Sequence, residues 1–110
     1  MPFEVEHGDI PALGFRVGNI AYVPDVKTIG KPQSQQALQR LDTLIIDALR
    51  YSSHPTHMNV DEALACIAVV APTQAILTNM HNAIDYETLN TELPPHIRGA
   101  YDGLKITATL

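Results

Sequence analysis

The amino-acid sequence predicts an α/β layered sheet, on three observations. Apolar runs of strand length recur at Ile20-Ala21-Tyr22-Val23, Leu44-Ile45-Ile46 and Ala75-Ile76-Leu77. Each run breaks into polar residues, at Pro24-Asp25, at Asp47 and at Thr78-Asn79-Met80-His81. Stretches with helical composition or a helix cap separate the later runs. Strand ends that deliver carboxylates, an amide and an imidazole point to a site at one rim of a sheet.

In chain order, Phe3-Glu4-Val5-Glu6-His7 alternates apolar and polar residues, as a half-buried strand does, and ends on a histidine. Gly8-Asp9-Ile10-Pro11 interrupts it. Leu13 to Val17 forms a second strand, Gly18-Asn19 a tight hairpin turn, and Ile20 to Val23 the return strand. Gly30 and Pro32 mark Val26 to Gln33 as a loop, and Gln35 to Leu41 favours helix with Leu38 and Leu41 on its apolar edge. The apolar residues of Thr43 to Ile46 do not alternate, which is the pattern of a strand covered on both faces.

A second loop, Arg50 to Met58, holds His54, Pro55 and His57. Asn59 followed three residues later by Glu62 is a capping box, and Val60, Leu64, Ile67 and Ala71 share one face of the helix it starts. Pro72 ends that helix. Gln74 to Thr78 is the next strand, Asp85 caps a short helix to about Leu93, Pro94-Pro95 stop it, and Leu104 to Leu110 offers a final strand. The predicted order is β-β-β-α-β-α-β-α-β. Three helices on one side would leave the other face of such apolar strands uncovered.

A chain of 110 residues suits one domain. With 45% hydrophobic and 17% charged residues it has the composition of a folded protein. A net charge of −5 and the lack of any Lys/Arg cluster argue against nucleic-acid binding. Cys66 is the only cysteine and sits among alanine and isoleucine, so an inert thiol in a reducing, cytoplasmic setting is expected. No apolar run approaches the roughly 18 residues of a membrane helix.

His7, Asp25, Asp47, His54, His57, Asn79 and His81 are the donors near strand ends or in the long loop. Mixed imidazole and carboxylate ligands suit zinc, manganese or iron, and a carboxylate such as Asp25 can bridge two cations. Spacing alone does not single them out, because the chain holds no compact H-x-H or H-E-x-x-H element.

Several motifs in order carry a resemblance: Glu6-His7-Gly8, Leu13-Gly14-Phe15-Arg16, Ala21-Tyr22-Val23-Pro24-Asp25, Asp47-Ala48-Leu49-Arg50-Tyr51, His54-Pro55-Thr56-His57, Ile76 to His81, Asp85-Tyr86 and Ala100-Tyr101-Asp102-Gly103-Leu104. Over nearly its whole length the chain resembles the C-terminal part of metallo-β-lactamase-fold hydrolases, on the branch that includes the phosphoribosyl cyclic phosphate phosphodiesterases. The resemblance implies residues 1–110 as the C-terminal half of an αββα sandwich, a mixed sheet with helices on one face. It also implies a site for two divalent ions, zinc or manganese, acting on a small phosphodiester. By the same resemblance His7 corresponds to a metal ligand and Asp25 to the bridging carboxylate. His57 corresponds to a histidine that meets phosphate or protonates the leaving oxygen. Asp47 and Arg50 are placed behind the ligands or against substrate.

Two departures qualify this. The His-x-His-x-Asp-His motif that supplies most ligands in such enzymes is absent from the chain. Where relatives read Thr-His-Met, this chain reads Thr78-Asn79-Met80 and then His81. His81, one pleat further on, is the expected substitute ligand, and Asn79 a residue that orients water or phosphate. On this reading the isolated chain is inactive or weakly active as a hydrolase. The competing reading is a non-catalytic α/β module that pairs with a second copy or with a complementary N-terminal half through its uncovered face. A nuclease reading is opposed by the acidic balance.

Overall fold

The computed structural model describes residues 1–78, 80, 86–101 and 104–106, for 86–88 the backbone only. The elements are β1 (Pro2–His7), β2 (Ile10–Val17), β3 (Ile20–Val23), α1 (Pro32–Ala37), β4 (Thr43–Asp47), α2 (Val60–Val70), β5 (Gln74–Thr78), α3 (Tyr86–Glu92) and β6 (Ile97–Gly99). Their order is the predicted one. They form one six-stranded sheet in which the strands lie side by side in sequence order. The β1–β2 and β2–β3 pairs are antiparallel; β3–β4, β4–β5 and β5–β6 are parallel. Only β2 therefore runs against the rest, and the C-terminal ends of β1, β3, β4 and β5 meet at one rim.

Both hairpins turn on glycine. Gly8 (φ 65°) and Gly18 (φ 57°) occupy the first turn position, where a type II′ turn needs the left-handed region. The first turn is tighter than the sequence suggested: β2 begins at Ile10, with His7 opposite Ile10, and includes Pro11. Met1 and Arg16 exchange both backbone hydrogen bonds, so the alternation places Pro11 at a position that does not bond to β1. Its missing N–H points to the β3 side, where pairing has already stopped at Phe15 and Tyr22.

The core lies on one face of the sheet. Phe3, Val5, Ala21, Val23, Leu44, Ile46, Ala75, Leu77 and Ile97 pack there with Ala37, Ala63, Ile67 and Leu89 from the three helices. Gly14 sits opposite Phe3, and a Cβ at Gly14 would lie 2.5 Å from that ring, so the ring covers the strand only because no side chain intervenes. The opposite face of β2 and β3 carries Leu13, Phe15, Val17 and Tyr22, each about half exposed. The uncovered face was expected on β4 and β5, but there Ile45 is partly buried and Ile76 buried, so the exposed apolar surface lies on β2 and β3 instead.

Arg16, on β2, holds the end of α1. Its guanidinium donates to the carbonyls of Ala37 (2.9 Å) and Gln39, and to Asn19 Oδ1 (3.2 Å). These bonds satisfy carbonyls that a helix C-terminus leaves without intrahelical donors. α1 is shorter and earlier than Gln35 to Leu41: Pro32 occupies its first turn and Arg40 adopts φ 58°, which ends helical continuation. Leu38 and Leu41 are nevertheless buried.

α2 begins with the predicted capping box, both hydrogen bonds present. Glu62 also takes Lys27 Nζ at 2.9 Å, which ties the loop after β3 to this helix. The final strand was misplaced by the sequence reading. The sixth strand is Ile97–Gly99, and Leu104 to Ile106 are not in a strand; residues 107–110 lie outside the described set. Three residues are too few to show period-two alternation, and Pro94-Pro95 read as loop hides them.

Two outcomes follow from the helix ends. Ala71 terminates α2 in the left-handed region (φ 54°, ψ 53°), so Ala71→Gly should raise stability by about 0.5–1 kcal/mol in urea unfolding. At Glu62 the Lys27 hydrogen bond, followed by the Asn59 N–H, lowers the carboxyl pKa. Its stabilising effect is thus complete above the unfolded-state pKa and is lost as pH falls through the lower folded value. Glu62→Gln, which keeps the cap acceptor, should flatten the loss of stability on acidification; an unchanged slope would show that the ion pair contributes nothing.

Candidate functional site

At the rim made by the strand ends, three side chains converge. His7 ends β1, Asp25 follows β3 by two residues, and His57 comes from the loop between β4 and α2. Each offers one ligand atom, and these atoms lie within 4.8 Å of one another. Asp25 is exposed, while the two histidines are partly buried, with ring centroids 4.7 Å apart and nearly perpendicular.

The imidazoles are held from behind. His7 Nδ1 lies 2.7 Å from the Thr56 carbonyl, which can only accept, so Nδ1 carries the proton and Nε2 of the neutral ring does not. His57 Nδ1 lies 2.5 Å from Asp47 Oδ2. Asp47 has no solvent exposure and also accepts the Val26 N–H at 3.2 Å. A ligating histidine anchored through its other ring nitrogen to a carboxylate or carbonyl is the arrangement metal sites use to fix tautomer and orientation. His7 Nε2 and the Asp25 carboxylate so prepared fit a divalent ion such as zinc or manganese, with the His57 ring held beside them.

The loop from Ala48 to Met58 is itself built by short bonds. Arg50 donates to the carbonyls of Ser52 (3.4 Å) and Ser53 (2.7 Å), bracing the turn that leads to His54. His54 Nδ1 accepts the Thr56 N–H at 3.1 Å, and its ring stands 5.2 Å from that of His57. Partial burial, then the Arg50 and His57 charges, lower the His54 pKa below the ordinary histidine value.

Of the residues expected at the site, His7, Asp25, Asp47 and His57 are brought together, and Arg50 lies in the same loop. Asn79 and His81 lie outside the described residues. Sequence reasoning passed over Gly8 and Thr56. A Cβ on Gly8 would come 2.6 Å from Thr56 Cγ2, so glycine here permits the approach that brings the Thr56 carbonyl to His7. The signal was available in part: Gly8 follows His7, and Thr56 lies between His54 and His57. The wide groove of about 630 Å³ between α1 and α2, lined by Leu38, Met58, Cys66 and Val69, contains none of these groups.

Residues 1–80 match the Beta-lactamase superfamily domain. The chain is 32% identical over 106 residues to an octanoyltransferase of Porphyromonas gingivalis (strain ATCC BAA-308 / W83), covering 94% of this chain and 21% of that protein. It is similar to the crystal structure of a new diphosphatase from the PhnP family, with 34% identity and a TM-score of 0.95 over 100% of this chain and 43% of that one. Human tRNase Z, short form, shares the fold at 17% identity and a TM-score of 0.75, over 99% of this chain and 42% of that one. The chain thus spans about a fifth of the curated relative and less than half of each solved one. With its six-stranded mixed sheet and the match over residues 1–80, the chain belongs to the β-lactamase superfamily and has the metallo-β-lactamase fold.

Proposed function

We propose that this chain supplies one half of a divalent-metal-dependent hydrolase for small phosphodiesters of the cyclic phosphate type, with zinc or manganese as the metal. The observation that carries the reading is the convergence of His7, Asp25 and His57, with both imidazoles anchored through Nδ1. The similarity to a PhnP-family diphosphatase supports a phosphate-bearing substrate. Matching only 21% of the octanoyltransferase gives that name no weight for this segment. The lone half-buried thiol of Cys66, its pKa raised by burial, agrees with a reducing, cytoplasmic location.

In this reading His7 and Asp25 would hold the metal, and His81 would replace the imidazole that Asn79 lacks. A bound divalent ion supplies Lewis-acid polarisation of a phosphoryl oxygen and acidifies water. The protein side chains do the positioning. Asp47 holds the His57 ring and stabilises it when protonated, so that it can deliver a proton from Nε2 to the leaving oxygen. Arg50 keeps the loop in place for that transfer. The half-exposed face of Leu13, Phe15, Val17 and Tyr22 supports a second polypeptide segment, complementary to this half, completing the active form. On its own the chain is inactive or weakly active.

Metal content measured after loading with zinc tests the centre. Wild type should retain the ion and His7→Ala and His81→Ala should each retain markedly less, whereas Asp47→Asn, which acts through the proton-delivering His57, should leave metal content nearly unchanged. Circular dichroism checks that each variant is folded. A wild-type chain that binds neither zinc nor manganese would refute the reading. Hydrolysis of a small cyclic phosphodiester should be faster than that of a linear one, and His57→Ala should abolish the difference.

A further inference from the structure

We propose that His54 is a substrate-binding residue, whose Nε2–H donates a hydrogen bond to a non-bridging oxygen of the phosphate ester held at the His7, Asp25 and His57 cluster. The inference rests on the phosphodiester reading for its ligand, and on hydrogen-bond direction for its chemistry.

Thr56 faces two histidines with opposite groups. Its carbonyl meets His7 Nδ1 at 2.7 Å, and a carbonyl cannot donate, so His7 is the Nδ1–H tautomer. Its backbone N–H meets His54 Nδ1 at 3.1 Å, and an amide N–H cannot accept, so His54 Nδ1 is unprotonated and the neutral ring carries its proton at Nε2. The Thr56 hydroxyl lies 3.3 Å from the same nitrogen. The backbone of one residue thus gives two imidazoles complementary faces: His7 a lone pair suited to a cation, His54 a proton suited to an anion.

Position agrees with that assignment. The His54 ring lies 5.2 Å from the His57 ring at 63°, partly open to solvent. Its Nδ1 is committed to the loop, and among the described residues it stands outside the group whose ligand atoms converge. A phosphate ester at a metal site directs some oxygens to the cations and leaves others to be met by donors. A neutral N–H fixed by the backbone supplies such a donor at no reorganisation cost. Pro55 restricts the backbone between His54 and Thr56, which helps keep the side chain over the amide.

Long-range proton–nitrogen NMR spectra of the metal-free chain at pH 7.5 read the tautomers directly. His54 should carry its proton at Nε2 and His7 at Nδ1. In the zinc-loaded chain, dimethyl phosphate should shift the His54 Nε2 resonance. His54→Ala should weaken dimethyl phosphate binding about tenfold, and His54→Gln, which keeps a donor at similar reach, should restore most of it. Zinc affinity should agree within about twofold among the three proteins, since His54 is not a ligand. An Nδ1–H tautomer or an imidazolium at His54, or unaltered phosphate binding by His54→Ala, would overturn the proposal. Failure of the wild type to bind zinc would instead overturn the metal-centre reading, and with it the substrate, whatever tautomer His54 shows.

Discussion

A carboxylate removed entirely from water has to be paired, and the pairing of Asp47 decides where much of the rim goes. Its oxygen takes the His57 Nδ1 proton and the Val26 N–H, so the end of β4, the loop after β3 and the loop before α2 are fixed to one atom group. Leaving such a charge without its partners costs several kcal/mol, of order 3–5. Val26 is fully buried beside it and accepts the Met58 N–H at 2.8 Å, so apolar packing and polar satisfaction hold the same residue. Asp25 precedes Val26 in sequence. Its place at the cluster is therefore a consequence of how Val26 is anchored.

The sheet provides the frame in which that anchoring has meaning. Because β2 alone is reversed, β1 delivers His7 to the same rim as the parallel strands. The loop after β3 then reaches the outer edge of β1, where Lys27 N–H and Thr28 N–H donate to the Glu6 carbonyl and Glu6 N–H donates to Thr28. Glu6 sits opposite Pro11, at a position that does not bond to β2, so its backbone groups are available for this loop. The residue before His7 and the residues after Asp25 are thus joined by backbone hydrogen bonds. Lys27 adds the ion pair to Glu62 that secures the same loop to α2.

Much of this was legible in the sequence. Strand-length apolar runs ending in Asp and His residues gave the element order and the rim, and Asn59 with Glu62 gave the start of α2 to the residue. What failed was local. Pro11 reads as a strand breaker, but the cost of a proline depends on which ladder position it takes, and that is set by the partner strand. Ile97–Gly99 is a strand because β5 offers it an edge to pair with, not because its three residues favour one. The role of Thr56 was hidden for a different reason. It acts through its backbone carbonyl and N–H, which every non-proline residue possesses, so its side-chain identity carried little signal.

The charge balance gives the site a further constraint. With a net charge of −5, this chain repels an anion overall, so the attraction that the proposed reading needs has to be local. At physiological ionic strength charges are screened over about 8 Å, and within that range the rim holds Asp25 and Asp47 as well as its histidines. Asp47 is already engaged by His57 and Val26, so its charge is largely answered inside the protein. Asp25 is exposed and faces the imidazoles. In the proposed reading a cation that offsets the Asp25 charge favours the approach of an anion, adding to the positive charges of Arg50 and Lys27 that are felt at the same rim. In the proposed reading the residues that would hold the metal thereby make substrate affinity depend on it, and a neutral donor such as the His54 Nε2–H would fit beside them, since it can meet a phosphate oxygen without competing for the cation.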